Sequence, residues 1–91
     1  MKQQELRHFM LFTYSLSSKP QKDKVKILRE LLGYREKKGK AEYRHEGMLQ
    51  KNYSQKLGSN VLLVPAGFAM YFSNYFNQHK VPFEVREVWM K

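Results

Sequence analysis

Apolar residues in this chain come in blocks whose spacing alternates between strand-like and helical. The first block, Arg7 to Leu16 (RHFMLFTYSL), is rich in aromatic and β-favouring residues and has no helical stripe. It predicts a strand. Phe9 and Leu11 fall on one face and Met10, Phe12 and Tyr14 on the other, so a central position in a sheet suits it. Ser17-Ser18-Lys19-Pro20 then carries helix-entry chemistry, a serine to cap and a proline for the first turn. Ser18 and Gln21 have capping-box spacing; Lys19, which precedes a proline and so avoids helical geometry, is the other candidate cap. Val25, Leu28, Leu31 and Leu32 form the buried stripe of the helix, with Ile27 beside it, and Gly33 stops it.

Residues 35–40 (REKKGK) read as a charged turn. Residues 41–49 (AEYRHEGML) read as a half-buried strand with Ala41, Tyr43, His45 and Gly47 on one face, and residues 50–60 as a polar connection. Asn60 to Pro65 is a short continuous apolar run, the pattern of a strand buried on both faces. A helix follows over 66–80, with Phe68, Phe72, Tyr75 and His79 on one face, and a last strand over 82–90. The resulting order, β-α-β-β-α-β, predicts an α+β fold of the ferredoxin-like split βαβ type. This is a four-stranded antiparallel sheet with two helices on one face. Ninety-one residues make a single domain, 1–91.

Charge changes the picture more than composition does. Seventeen Lys and Arg face eight acids, a formal charge of +9, and only one acid, Asp23, is an aspartate. Such an excess on a small domain points to polyanionic partners. With no cysteine, disulfides, thiolate catalysis and cysteine-ligated metal sites are excluded. No apolar run approaches the length of a membrane span. The N-terminal run is read as a strand and not a secretion signal, because Glu5, Arg7 and His8 crowd it and no small-residue cleavage site follows. The expectation is a cytoplasmic protein that uses no membrane, metal or other cofactor.

Three basic clusters stand out. Lys22, Lys26 and Arg29 follow i, i+4 and i, i+3 spacing on the first helix, away from its apolar stripe, with Lys19 and Lys24 nearby. Ser17, Ser18 and the helix start would add hydroxyl and N–H donors for one phosphate. Arg35, Lys37, Lys38, Lys40 and Arg44 form the second cluster, and Lys51 and Lys56 the third. Tyr34, Tyr43 and Tyr53 are interleaved with them, and charge with rings is what nucleic acid takes.

The stretch Leu11 to Leu16 (LFTYSL) resembles the first-strand signature of the RNA recognition motif, a nucleic-acid user of the expected fold. That resemblance implies bases stacked on the two central strands. The third strand, SNVLLVP, has no aromatic residue where that family needs two, which sets the stacking mode aside and leaves phosphate contacts from helix and hairpin.

The first functional expectation is therefore a nucleic-acid-binding protein, for RNA or DNA. Its contacts are Ser17, Ser18, Lys19, Lys22, Lys26, Arg29, Lys37, Lys38 and Arg44. A metal-free ribonuclease is the second, with His45, Tyr43 and His8 as candidate acid and base. A protein-interaction subunit is the third. The 66–79 helix carries no charge from Ala66 to Gln78, so its exposed aromatic side would suit a homodimer or a partner protein, with Trp89 and Met90 adding to it.

Overall fold

A computed structural model describes residues 6–91. In chain order these form β1 (Arg7–Tyr14), α1 (Gln21–Leu32), β2 (Tyr34–Lys38), β3 (Ala41–His45), α2 (Met48–Lys51), β4 (Gln55–Gly58), β5 (Val61–Pro65), α3 (Ala69–Gln78) and β6 (Phe83–Met90). A 3-10 turn over Ala66–Phe68 leads into α3. The fold is mixed α+β, with a four-stranded antiparallel sheet in the order β4-β5-β1-β6.

The pleat explains the core. Met10, Phe12 and Tyr14 alternate onto one face of β1, and the register sets Val64 beside Met10 and Leu62 beside Phe12. Ile27 and Leu31 of α1 and Phe72 and Phe76 of α3 pack on these residues. Phe12 lies within 6.0 Å, ring to ring, of Phe72, Phe76 and Phe83. Removing so large and fully enclosed a side chain would cost about 3–5 kcal/mol. Among the described residues no helix covers the other sheet face, yet Phe9 and Leu63 are buried there as well, with the Arg7 guanidinium 5.0 Å over the Phe9 ring. Leu62, Leu63 and Val64 are consecutive and all buried, as a continuous apolar strand should be.

Several expected elements are rearranged. Residues 41–45 do not enter the large sheet; they pair with 34–38 as a separate two-stranded ribbon, so the expected charged turn over 35–40 is mostly strand. Only Gly39 and Lys40 turn, in a two-residue loop with Gly39 at φ 62, as a hairpin with glycine first requires. The second strand of the large sheet is instead β4, from the stretch read as a polar connection. Its register shifts between Lys56 and Gly58. The same stretch also holds α2. Helix α1 buries Ile27 and Leu31 fully, while Val25 of the expected stripe is 38% exposed. The buried face of α1 thus centres on Ile27 and Leu31, which pack on the core residues of the sheet and on Leu49 of α2. The cap of α1 is Pro20, with no side-chain bond, in place of Ser18 or Lys19. The Ser17 hydroxyl lies 3.0 Å from that of Ser15, away from the helix start.

Two glycines fix where the ribbon leaves the domain. At Gly33, φ 80, a Cβ would stand 2.4 Å from the His45 carbonyl oxygen. A Cβ at Gly47 would stand 2.3 Å from the Gly33 nitrogen and 2.5 Å from the Leu31 carbonyl oxygen. The backbone entering the ribbon and the backbone leaving it therefore touch without room for a side chain. Gln50 spans the crossing: its Oε1 accepts from the Gly47 N–H at 2.8 Å and its Nε2 donates to the Leu32 carbonyl at 3.1 Å. Gly47→Ala is expected to destabilise the protein by at least about 2 kcal/mol, because only backbone can yield, lowering Tm by roughly 10 °C. Gly67→Ala, with open space around its site, should stay within about 0.5 kcal/mol of wild type. Thermal melts of the two variants check this, and equal melting temperatures would refute it.

Candidate nucleic-acid interface at the ribbon root

The ribbon is exposed at every position except Glu36, which is half-buried. Strand alternation sorts its side chains onto two faces. Tyr34, Glu36 and Lys38 share one face with the residues opposite them, His45, Tyr43 and Ala41. Arg35 and Lys37 share the other with Arg44 and Glu42.

The first face is tied down at its root. Tyr34 and His45 stack with ring centroids 4.3 Å apart, and the Arg29 guanidinium of α1 lies 4.9 Å over the Tyr34 ring. Glu36 Oε2 is 3.4 Å from His45 Nε2, and its other oxygen is 3.3 Å from Lys38 Nζ. The second face is different. Arg35 sits directly opposite Arg44, and like charges in that position cost a few tenths to about 1 kcal/mol. Glu42, 3.7 Å from Arg35, offsets part of this. Among the described residues Lys37, Lys40 and Arg44 pair with no carboxylate.

Two clefts flank the Tyr34–His45 stack. One, of about 380 Å³, is lined by Gly33, Arg35, Arg44, Glu46 and Gln50 together with the two stacked rings. The other, of about 440 Å³, opens toward the helices and is lined by Arg29, Glu30, Met48, Lys51 and Tyr75. Its far wall is built by Tyr75, whose hydroxyl donates to Glu30 Oε2, and His79 Nε2 stands 3.9 Å from the same oxygen. Burial pushes the Tyr75 phenol well above its ordinary value, and the bond to Glu30 and that carboxylate's charge add to it. Burial also raises the Tyr14 phenol, in the core against Phe76.

The sequence-derived contacts divide by location. Lys22, Lys26 and Arg29 are all exposed on α1, and the row ends at the ribbon root through the Arg29–Tyr34 contact. Lys37, Lys38 and Arg44 lie on the ribbon. Ser17 and Ser18 are exposed in the turn before α1. Lys19 is partly buried and already engaged, its Nζ donating to the His79 carbonyl at 2.6 Å, so it fastens α3 to the start of α1. Of the candidate acid–base residues, His45 and Tyr43 share a ribbon face. His8 stands apart on the large sheet, stacked on Trp89 at 4.0 Å with Glu87 3.8 Å away. Met70 and Tyr71 are 71% and 58% exposed, and Trp89 is 56% exposed on β6.

No family model, curated protein or solved structure matches this chain. The site therefore rests on its own geometry. Sequence reasoning named Tyr34 among the rings interleaved with the basic clusters but not its stack on His45, and it missed Glu36 and Gln50. Gln50 had no readable signal, since its partners are backbone atoms 18 and three residues away. Among the described residues no three His, Asp or Glu side chains gather as a metal site, and no helix is long and apolar enough to cross a membrane.

The two raised phenols set a pH dependence. A raised folded-state value means the contribution is complete below the ordinary tyrosine value of about 10 and is lost as pH rises through the folded value. Unfolding free energy from urea melts should thus fall above about pH 10. Tyr75→Phe should cost about 1 kcal/mol at neutral pH, and the gap from wild type should narrow on the alkaline side. Parallel pH profiles for the two proteins would contradict the assignment.

Proposed function

We propose that this protein binds nucleic acid, holding backbone phosphates with the exposed row on α1 and with the β2–β3 ribbon. The observation that carries the reading is the ribbon. It has five basic residues, Arg35, Lys37, Lys38, Lys40 and Arg44, against Glu36 and Glu42, and it buries almost nothing. A two-stranded hairpin is marginal alone in water, so a rigid root under an otherwise bare, cationic arm supports a role outside the fold. Lys22, Lys26 and Arg29 extend the same charge along α1 to that root, and Ser17 and Ser18 lie exposed in the turn before the helix. Such contacts give affinity and position without reading sequence. As to the scaffold, we read the four-stranded sheet with α1 and α3 as a ferredoxin-like split βαβ sandwich. The ribbon, α2 and their links are inserted between its first helix and second strand. Met70 and Tyr71 on α3 supply a separate surface for a second copy or a partner protein.

Affinity should fall linearly with the logarithm of salt concentration. Replacing Lys22, Lys26 and Arg29 together with alanine should flatten that slope by about 3, roughly one per lost phosphate contact. Fluorescence anisotropy between about 50 and 200 mM salt measures it. An unchanged slope would remove α1 from the interface.

The His45–Glu36 pair favours a second reading, a metal-free ribonuclease. Glu36 would orient His45, which would take the 2′-hydroxyl proton of bound RNA. The 2′-oxygen would bond to the adjacent phosphorus and the P–O5′ bond would break. Tyr43, on the same face, would give its proton to the departing 5′-oxygen, leaving a 2′,3′-cyclic phosphate. Incubation with RNA in a chelator tests this: cleavage lost in His45→Ala with binding retained supports it, and intact RNA with the wild-type protein rejects it.

A further inference from the structure

Resting on the reading that the protein binds nucleic acid, we infer that the β2–β3 ribbon enters the major groove of duplex DNA. There it presents Arg35, Lys37, Glu42 and Arg44 to base edges while α1 holds a flanking phosphate backbone. The ribbon has the required form. Its two strands pair only with each other, so both long edges are free of the large sheet. Two strands lie about 4.8 Å apart, and the major groove of B-DNA, about 12 Å wide, admits such a ribbon with its side chains. The tip does not widen it, since Gly39 and Lys40 close the hairpin in two residues and nothing lies within 4 Å of where a Gly39 Cβ would be. The deep, narrow major groove of an RNA helix would not accept it.

The two faces are not equivalent, and the difference selects which one reads. Tyr34, Glu36 and His45 are occupied with one another and with Arg29, on the face tied to the domain at its root. The opposite face, where the exposed Arg35–Glu42 contact at 3.7 Å is the one ion pair among the described residues, holds the donors and acceptor that pair with guanine and cytosine. Arginine and lysine donate to guanine O6 and N7, and glutamate accepts from cytosine N4. Arg35 directly opposite Arg44 is an arrangement the isolated protein gains nothing from. Guanine acceptors or phosphate oxygens between the two guanidiniums would relieve it. The rings that could stack on unpaired bases, Tyr34 and Tyr43, lie on the other face. Lys22 and Lys26, exposed and without a carboxylate partner among the described residues, run back along α1 from the root and would meet the flanking phosphates.

The experiment compares a labelled DNA duplex of about one and a half to two helical turns, the RNA duplex of the same sequence, and each single strand. Binding is followed by anisotropy at fixed salt, with methyl green as a major-groove competitor and netropsin as a minor-groove one. The expected result is that the DNA duplex binds tightest and that methyl green displaces the protein while netropsin does not. Arg35→Ala/Arg44→Ala should lose about tenfold or more in affinity for that duplex with an unchanged melting temperature. Arg35→Lys/Arg44→Lys, which keeps charge and removes the planar fork, should also bind more weakly and decides the matter should the alanine variant fold poorly. Equal binding to RNA duplex or single strands, or displacement by netropsin, would overturn the groove assignment and leave phosphate binding standing. Absence of binding to all four would overturn both.

Discussion

The ribbon's aim depends on one close approach, the backbone of Gly33 against that of Gly47. With no Cβ on either, the last turn of α1 and the residues leaving β3 meet at a distance no other residue pair allows. Gln50 then satisfies a carbonyl at the end of α1 and an N–H at the start of α2 with one side chain. This matters because helix ends leave unpaired backbone groups that are costly when shielded from water. Because the two backbones meet at the root, the ribbon is held there by backbone geometry and by the Arg29–Tyr34–His45 stack, with no buried apolar residue of its own.

That arrangement separates two jobs within one short chain. Stability comes from the aromatic core between β1, β5, α1 and α3, where Phe12, Phe72 and Phe76 are fully enclosed. The ribbon contributes exposed charge instead. The two parts meet at the Arg29–Tyr34–His45 stack, which joins the cationic row of the helix to that of the ribbon. Glu30 and Tyr75 brace α1 against α3 just beside it, so the position of Arg29 is coupled to the packing of the two long helices.

How far the sequence could be read follows the hydrophobic pattern. β1, α1 and α3 were legible because each buries a face, and burial leaves a period in the sequence. β5 was legible as a continuous apolar run, and β6 was legible although it is largely exposed. β2 and β4 were not, since YREKK and QKLG carry no apolar alternation and are held by pairing partners rather than by burial. The run AEYRH looked half-buried through Ala41 and Tyr43, yet all its positions are exposed. Only His45 of that alternation packs on anything, stacked on Tyr34; Ala41 and Tyr43 stand on a free ribbon. Among the candidate contacts, the charged residues were plain in the sequence, but their division was not. That Lys19 is spent on the His79 carbonyl, and that His8 lies apart from His45, are consequences of tertiary packing alone.

The ribbon's unpaired edges carry a further consequence. An exposed strand edge is a template for the strand of another molecule, and proteins guard such edges with charge, shortness or bulges. β4 is guarded by its four-residue length and its register shift. The ribbon strands, five residues each, are guarded by shortness and by charge that is mostly cationic. Copies of this chain thus repel one another at the ribbon edges, and colloidal behaviour at high concentration draws on the same five lysines and arginines that would draw a polyanion. A substitution that blunts one property blunts the other, so the edge cannot be neutralised without inviting self-association.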